Sequence, residues 1–304
     1  MLVFVLFLLM LFPNILLLIL VKYKFKCKID IVFLMLFLFG YLSWFVISGD
    51  WIFISYYSRI ITIILYVVVS FISIKRNLGK PWFRVKGVVR GGLRIILYSV
   101  SLLQLIVGMY AISIMIDSKK VEGDVLRLEF PLNNGVYFVA SGGSHEILNH
   151  HYKHPSQKFG IDIVKMNKFG LRGSFKMRFA LEDFEIYAEN VYSPVQGKVV
   201  KVIDRAQDNF PGYYNSNSLG NVVVIESQGK FVFILHLMKN SILIKENQEV
   251  KVGQLLGKVG NSGKSFEPHL HIHATEKSNN LFNGVPVSIM FDERILIKNS
   301  IVKN

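Results

Sequence analysis

Long apolar runs fill the chain before Asp117, and short segments separated by turns fill the rest. The apolar runs are Leu2–Val21, Ile29–Ser48, Ile60–Ile74 and Ile95–Ile116. A membrane-spanning helix needs about 20 mostly apolar residues, so three of the runs are long enough and Ile60–Ile74 is marginal. The pattern therefore predicts an all-α membrane domain of about four spans over residues 1–116.

The first apolar run lacks the marks of a cleaved secretory signal. A signal peptide begins with a positively charged segment and ends at a cleavage site made of small residues. Here Met1–Phe4 carries no side-chain charge, and the run ends in Val-Lys-Tyr-Lys. We therefore expect the first run to remain in the protein as a membrane span.

Lysine and arginine are concentrated in two of the loops between the apolar runs. Four lysines lie between the first run and the second, and seven lysines and arginines lie between the third run and the fourth. The connection between the second and third runs, Gly49–Arg59, has Arg59 as its single basic residue. Because basic loops stay in the cytoplasm, we expect everything after Ile116 to lie outside it. The single cysteine, Cys27, then lies in a cytoplasmic loop, so no disulfide is expected in the external part.

From residue 117 onwards the sequence predicts a polar linker, 117–130, and then a mainly β domain, 131–304. The predicted strands are Val136–Ala140, Gly160–Val164, Gly197–Ile203, Asn221–Glu226, Phe231–Leu237, Gln254–Val259 and His269–Ala274. Many short strands with glycine turns and no long helical period indicate an antiparallel sheet or sandwich. Two longer segments, Met166–Asn190 and Asp204–Leu219, have the length of loops that often form the walls of a functional site.

The composition agrees with a chain that lies partly in a membrane and faces anions. Its mean hydropathy is +0.40, its hydrophobic content is 52% and its net charge is +14. The apolar excess lies in the first 116 residues, and the two basic loops account for part of the charge. The lysines of the external part suit a polyanionic surrounding such as a cell wall or a lipid surface. We expect no nucleic-acid partner, and the oligomeric state stays open.

Histidines alternate in the stretch EPHLHIHA at residues 267–274. A strand has a side-chain period of two, so His269, His271 and His273 project from one face. His236 ends another predicted strand, and Asp162 lies inside a third. A carboxylate inside an apolar strand needs a partner, and imidazoles together with a carboxylate are ligands that zinc accepts. The residues indicate a metal site with nearby acid–base groups; ordinary polar-face histidines are the alternative.

Five motifs follow one another in the external part: YSPVQGKVVKV, GNVVVIE, FVFILHL, VKVGQLLGKVGNSG and EPHLHIHA. In this order they resemble the lysostaphin-type (LytM-like) zinc metallopeptidases, over most of residues 131–280. The resemblance implies a LytM-like antiparallel sheet or sandwich that uses zinc to cut peptidoglycan peptides. It also implies that Asp162 and His271 are zinc ligands and that His236 and His269 are the two catalytic imidazoles.

The sequence departs from that family at Lys158. The family's His-x-x-x-Asp motif has its first ligand four residues before the aspartate, where this chain has Lys158, and an ammonium group cannot coordinate zinc. The family's membrane-anchored branch has a similar Asn-x-His pattern upstream, which implies His151 as the substitute ligand. His150 is the second choice and His154 the third. We expect His273 at the edge of the cleft, without a role.

Two functions of different classes follow from these residues. The first is a membrane-anchored zinc metalloendopeptidase that acts on peptidoglycan peptides. It would be a multi-pass protein of the cell membrane, in contact with membrane lipid, and its C-terminal domain would be extracytoplasmic. The second is a zinc-free LytM-like pseudo-peptidase that binds peptidoglycan or activates another wall hydrolase, which Lys158 favours. A lipoyl- or biotin-carrier barrel, suggested by SPVQGKVVKV, explains none of the histidines.

Overall fold

The computed structural model describes residues 2–84, 88–121, 123–174, 180–213, 219–280 and 283–304. The predicted loops Met166–Asn190 and Asp204–Leu219 and the second basic loop each include residues outside these ranges. Within the chain, two compact units are separate in their packing: an N-terminal unit, Met1–Met115, and a C-terminal unit, Ile116–Asn304. Each unit is described below by itself.

The N-terminal unit is helical. Its helices are α1 (Leu2–Lys22), α2 (Lys28–Ser48) and α3 (Tyr56–Arg76), and α4 (Val88–Asp117) continues into the next unit. Among the described residues, three stretches are long and apolar enough to cross a membrane: Lys28–Ser48, Tyr56–Arg76 and Gly91–Asp117. Leu11–Lys22 of α1 is a shorter apolar helix. The prediction of a helical region with candidate membrane spans is confirmed, and four spans stays an approximate count.

The marginal third run lies in a full-length helix. Helix α3 begins before the apolar run, at Tyr56, and has 21 residues. The hydroxyl of Ser55 caps it by accepting a hydrogen bond from the backbone N–H of Tyr57. This cap adds a turn to the run that the apolar pattern alone delimits, because a serine oxygen satisfies one of the first unpaired N–H groups of the helix.

Helices α2 and α4 approach closely where two glycines meet. A Cβ atom at Gly40 would lie 2.1 Å from the carbonyl oxygen of Gln104, and one at Gly108 would lie 2.5 Å from the Cα of Gly40. Towards the start of α2, Asp30 accepts a 2.8 Å hydrogen bond from Arg94. Small residues allow backbones to pack in a membrane, and an ion pair satisfies a carboxylate there.

The C-terminal unit is built on one large sheet. Its strands are β1 (Val125–Leu128), β2 (Val136–Ser141), β3 (Ile161–Met166), β4 (Asn190–Tyr192), β5 (Gly197–Ile203), β6 (Asn221–Ser227), β7 (Lys230–Leu237), β8 (Glu249–Val250), β9 (Leu255–Lys258), β10 (Leu270–Glu276), β11 (Val285–Phe291) and β12 (Ile301–Lys303). The order is β12-β2-β3-β10-β7-β6-β5-β8, with β11 paired to β10 and to β1, while β4 and β9 form a small sheet of their own. In the described part of the chain, every strand pair is antiparallel except β1 with β11. The predicted mainly antiparallel fold is confirmed.

Five strands have no counterpart in the sequence-based prediction: β1, β4, β8, β11 and β12. Strand β1 lies within the predicted linker, 117–130, and is held by its register with β11, in which Val125 faces Ser288. Strands this short take their stability from distant partners, so a local pattern does not reveal them.

The two faces of the central strands have different surroundings. Ile161, Ile163, Leu270 and Ile272 point to the main hydrophobic core and are at most 2% exposed. Because side chains alternate along a strand, the residues between them point to the opposite face. Asp162 and the histidines of β10 therefore share one face of a rigid sheet.

Candidate functional site

Asp162 and His271 lie directly opposite each other on neighbouring strands. They are register partners in the antiparallel pair β3 and β10. The Oδ1 atom of Asp162 lies 2.8 Å from Nδ1 of His271, and both residues are buried. Their separation is fixed by backbone pairing at the centre of the sheet, so the two groups form a pre-arranged pair.

His151 reaches this pair from the loop between β2 and β3. Its Nε2 atom lies 3.0 Å from each carboxylate oxygen of Asp162. The fully buried side chain of Asn149 holds the loop: its Oδ1 accepts the backbone N–H of His151, and its amide donates to the carbonyls of Lys158 and Gly160. One asparagine thus ties together both ends of the segment that presents His151.

Three possible ligand atoms converge on one point. Nε2 of His151, Oδ1 of Asp162 and Nδ1 of His271 are separated by 3.0, 2.8 and 3.1 Å. Ligands placed about 2.1 Å from a tetrahedral zinc ion are about 3.4 Å apart, so only a small expansion would be needed. Two imidazoles and a carboxylate also match the chemistry that a divalent ion of this kind requires. The residues present fit a metal.

His150 is the other imidazole close to the carboxylate. Its Nε2 atom lies 3.4 Å from Oδ2 of Asp162, and its side chain is 68% exposed. The ligand atoms of His150, His151 and Asp162 lie within 4.8 Å of one another, so these residues also form a possible metal-binding group. We favour His151 over His150 because its Nε2 atom is closer to Asp162 and also lies 3.1 Å from Nδ1 of His271. The third choice, His154, has its Nδ1 3.3 Å from the hydroxyl of Ser156.

The buried groups are held in the charge states that metal binding needs. Burial by itself would raise the pKa of Asp162, but His151 and His269 and the hydrogen bonds it accepts keep that pKa well below its ordinary value. Burial, reinforced by the neighbouring His151, lowers the pKa of His271 to about 4. At neutral pH the carboxyl group is therefore ionised and His271 is neutral.

His236 is aimed into the site by a bulge in β7. Asn221 pairs with Leu237 and Val222 pairs with Leu235, which leaves His236 as an extra residue in the strand. Its φ of 64° lies in the left-handed region, which is rare for a residue with a side chain. Bulges of this kind redirect side chains next to active sites. A buried Nδ1–H donates to a backbone carbonyl 2.9 Å away, at Ser262, so the Nε2 lone pair is available.

His269 stands beside His236, with the planes of the two rings tilted by 54°. Its Nδ1 atom lies 2.8 Å from the carbonyl oxygen of Glu267, so the proton sits on Nδ1 and Nε2 is free. The ring centroids of the two histidines are 4.8 Å apart, and Nε2 of His269 lies 3.6 Å from Oδ1 of Asp162. Arg172 donates to the carboxylate of Glu267 and steadies this turn. Two imidazoles with free nitrogens therefore flank the ligand group.

Burial also lowers the pKa of His236, well below the ordinary value for histidine, and the nearby His269 and His271 add to this effect. A neutral imidazole accepts a proton. His236 is therefore in the form in which it can act as a base.

Comparison with known proteins agrees with this geometry. Residues 182–284 match the family model of peptidase family M23. This segment contains an M23 peptidase domain. The match includes His236, His269 and His271, whereas His151 and Asp162 lie before its start in the same C-terminal unit. The predicted resemblance to LytM-like peptidases is confirmed.

Solved structures with similarity to the chain include a zinc-containing peptidase from Vibrio cholerae, with 24% identity and a TM-score of 0.31, covering 51% of this chain and 37% of that one. The catalytic domain of the antimicrobial peptidase lysostaphin from Staphylococcus simulans has 20% identity and a TM-score of 0.28, and the coverage is 42% and 73%. The SpoIIQ–SpoIIIAH pore-forming complex has 22% identity and a TM-score of 0.27, with coverage of 42% and 65%.

Lys158 precedes the M23 match and does not act as a ligand in this arrangement. Its ammonium nitrogen lies 4.9 Å from the ring centroids of both Tyr152 and Phe159. Next to it, Gly160 leaves room for the metal-site histidine, since a Cβ atom there would lie 2.9 Å from the His271 ring. The loop thus carries a cation held over aromatic faces and an imidazole that points to the carboxylate. Substitution of the missing ligand by His151 stays a prediction.

The expectation for His273 is wrong in one respect. It was placed at the edge of the cleft, but the side chain is buried, at 1% exposure, and stacks on Phe233 with ring centroids 4.6 Å apart. Its Nδ1 atom lies 3.0 Å from Nε2 of His271. The strand period correctly put it on the same face as His271, but Phe233 on the neighbouring strand covers that part of the face.

One predicted wall of the site packs against the turn that precedes His269. In the described part of the Asp204–Leu219 segment, the Asn209 amide donates to the carbonyls of Gly263 and Ser265. The exposed rings of Phe210 and Tyr213 follow directly. Exposed aromatic side chains therefore lie on a segment that is hydrogen-bonded to the turn before His269.

The metal-binding role of His151 predicts a contrast between three variants of the full-length protein. His151→Ala should lower the affinity for Zn²⁺ by at least about 10-fold, because it removes one of three ligands. His150→Ala and Lys158→Ala should keep the affinity of the wild type, because the His150 nitrogen lies farther from Asp162 than that of His151 and an ammonium group cannot coordinate zinc. The measurement is bound zinc after equilibrium dialysis in detergent. Full zinc occupancy in His151→Ala would contradict the assignment, and loss in His150→Ala alone would move the role to His150.

Proposed function

We propose that the chain is a membrane-anchored zinc metalloendopeptidase that hydrolyses peptide bonds of peptidoglycan outside the cytoplasmic membrane. The observation that carries this proposal is the convergence of His151, Asp162 and His271, flanked by His236 and His269, in a unit that contains an M23 peptidase domain. Candidate membrane helices precede that unit.

His151, Asp162 and His271 would hold the ion. Three protein ligands leave one position open in a tetrahedral catalytic site. When bound there, zinc supplies a Lewis acid that polarises the scissile carbonyl and lowers the pKa of a coordinated water towards 7. Asp162 brings a negative charge that partly neutralises the ion, and its own position between two imidazoles keeps it ionised.

His236 and His269 provide proton transfer and charge stabilisation. Each donates its Nδ1–H to a backbone carbonyl, which fixes the tautomer and leaves Nε2 towards the site. An imidazole in this state accepts a proton from an attacking water, and once protonated it donates a hydrogen bond to the developing oxyanion. The rings are too closely packed, at 4.8 Å, for both to be charged at low cost. The arrangement therefore fits a single additional proton on the pair of imidazoles, accepted from the water and then used to stabilise the oxyanion.

The substrate class is supported by charge and by surface shape as well as by family. Residues 117–304 hold 23 lysines and arginines against 19 aspartates and glutamates, a net charge of +4 (23 − 19), and the exposed lysines among them would attract an anionic polymer. Exposed aromatic rings at Phe210, Tyr213 and Phe266 lie on the segments that adjoin His269. Such rings offer apolar contact to a peptide chain. Peptidoglycan peptides combine these requirements.

A zinc-free pseudo-peptidase is the second candidate, because Lys158 stands where the family has its first ligand. The convergence of His151 on Asp162 and His271 argues against it, since a chain that no longer bound metal would have no need for three imidazoles around one buried carboxylate. The two candidates differ in bound zinc and in the release of new amino groups from peptidoglycan.

Removal of either flanking imidazole should abolish activity without loss of zinc. His236→Ala and His269→Ala should each lower kcat/KM by about 10²–10⁴, the usual effect of deleting a positioned acid–base group. Activity is measured as new amino termini released from purified peptidoglycan, and zinc is measured in the same samples. Lys245→Ala, at an exposed position outside the site, is the control.

Wild-type turnover in either histidine variant would contradict the assigned role. A zinc-loaded wild type that releases no amino termini from peptidoglycan would contradict the proposed substrate. If the wild type holds no zinc, the pseudo-peptidase is supported instead.

The proposed orientation needs engineered thiols, because Cys27 is fully buried and cannot report on topology. In a Cys27→Ser background, Lys120→Cys should react with a membrane-impermeant maleimide in intact cells. Lys80→Cys, in the second basic loop, should react only after permeabilisation; both lysines are exposed. The reverse pattern would place the C-terminal unit in the cytoplasm and overturn the proposed location.

A further inference from the structure

His273 is a buried imidazole that the proposed reaction leaves without a role. It follows His271 by two residues on β10, so both side chains point to the same face. Its Nδ1 atom lies 3.0 Å from Nε2 of His271, and its ring stacks on Phe233 with an interplanar angle of 4°. Both neighbours restrict the ring, so His273 meets the metal-site histidine in one defined orientation.

The tautomer of His271 decides whether it can bind a metal. Its Nδ1 atom is the one that faces His151 and Asp162. A neutral imidazole carries one proton, so a free Nδ1 requires the proton to be on Nε2. That Nε2–H then points to Nδ1 of His273, which must accept it. In this arrangement the proton of His273 is on its own Nε2.

The opposite arrangement would block the site. If Nδ1 of His273 carried the proton, it would donate to Nε2 of His271, and the proton of His271 would move to Nδ1. That Nδ1–H would donate to Oδ1 of Asp162 at 2.8 Å. Nδ1 of His271 and Oδ1 of Asp162 would then be hydrogen-bonded to each other, and neither atom would be available to a metal ion. The direction of the hydrogen bond between His271 and His273 therefore separates a metal-binding state from a blocked one.

We propose that His273 is a positioning residue that accepts the Nε2–H of His271 and so holds His271 in the tautomer that binds metal through Nδ1. This inference rests on the zinc site of the proposed function. Hydrogen-bond acceptors behind metal-bound histidines usually are carboxylates, carbonyls or water. Here a second imidazole has that position, and it is the stacking on Phe233 that presents its Nδ1.

An imidazole in this position has a second nitrogen, the Nε2 atom of His273, that also needs a hydrogen-bond partner. Nε2 of His273 is buried and has no hydrogen-bond partner among the described residues. In the metal-binding state this atom carries a proton that is not hydrogen-bonded, which is unfavourable. Metal binding to Nδ1 of His271 compensates for it. When His273 is replaced, the metal affinity should therefore depend on whether the new side chain has a hydrogen-bond acceptor and not on its volume.

Two substitutions separate the acceptor from the ring. His273→Phe keeps a flat ring that can stack on Phe233 but removes the acceptor. His273→Asn removes the ring and keeps an oxygen close to the position of Nδ1. Zinc affinity is measured on the full-length protein in detergent by competition with a chromogenic chelator, and Co²⁺ absorption spectra report the coordination geometry.

The expected result is a 10- to 100-fold lower zinc affinity in His273→Phe, the usual effect of losing such a partner, and an affinity within about threefold of wild type in His273→Asn. Equal affinity in wild type and His273→Phe would overturn the proposal. Equal losses in both variants would also overturn it, because they would indicate a packing role.

A test on the wild type does not depend on the folding of variants. Long-range ¹H–¹⁵N spectra of the histidine side chains in the zinc-loaded protein should place the proton on Nε2 of both His271 and His273. A proton on Nδ1 of His273 would overturn the proposal while leaving the zinc site intact. Absence of zinc from the wild type would instead contradict the proposed function, on which the role of His273 rests.

Discussion

The buried carboxylate of Asp162 is the group around which the rest of the site is arranged. An ionised carboxylate inside a protein is costly unless charges or hydrogen bonds compensate for it. Here the compensation comes from imidazoles, with His151 and His271 in direct contact and His269 at 3.6 Å. The strand pair β3 and β10 fixes the carboxylate against His271, so all other site residues are placed relative to that register. Several imidazole nitrogens and an ionised carboxylate in one small space form a site rich in electron-pair donors, which suits a bound cation.

The histidines and the sheet were accessible from sequence to different degrees. The period of two placed His269, His271 and His273 on one face, because this feature depends on local spacing. The resemblance to LytM-like peptidases pointed to His236 and Asp162. The bulge that turns His236 into the site was not accessible, since it arises from the pairing of β7 with β6. Strands β1, β11 and β12 were missed for the same reason. Burial of His273 depends on Phe233, a residue 40 positions earlier in a neighbouring strand.

The loop that carries Lys158 also carries His151, the residue proposed to supply the missing ligand. Asn149 binds backbone groups at both ends of the loop, and this fixes His151 next to the carboxylate. Lys158 then stacks over Tyr152 and Phe159 in the same segment. In the proposed site, a nitrogen supplied eleven residues before Asp162 takes the role that the family pattern gives to a residue four positions before it. The sequence pattern alone identified Asn149 only as part of a motif; its buried hydrogen bonds explain why the motif includes it.

The central claim is that His151, Asp162 and His271 together bind zinc. Crystals of the full-length protein, grown with zinc and measured on both sides of the zinc absorption edge, test it most directly. The account predicts one anomalous peak about 2.0–2.2 Å from Nε2 of His151, a carboxylate oxygen of Asp162 and Nδ1 of His271. A peak bound by His150 in place of His151, or no peak between these residues, would contradict it.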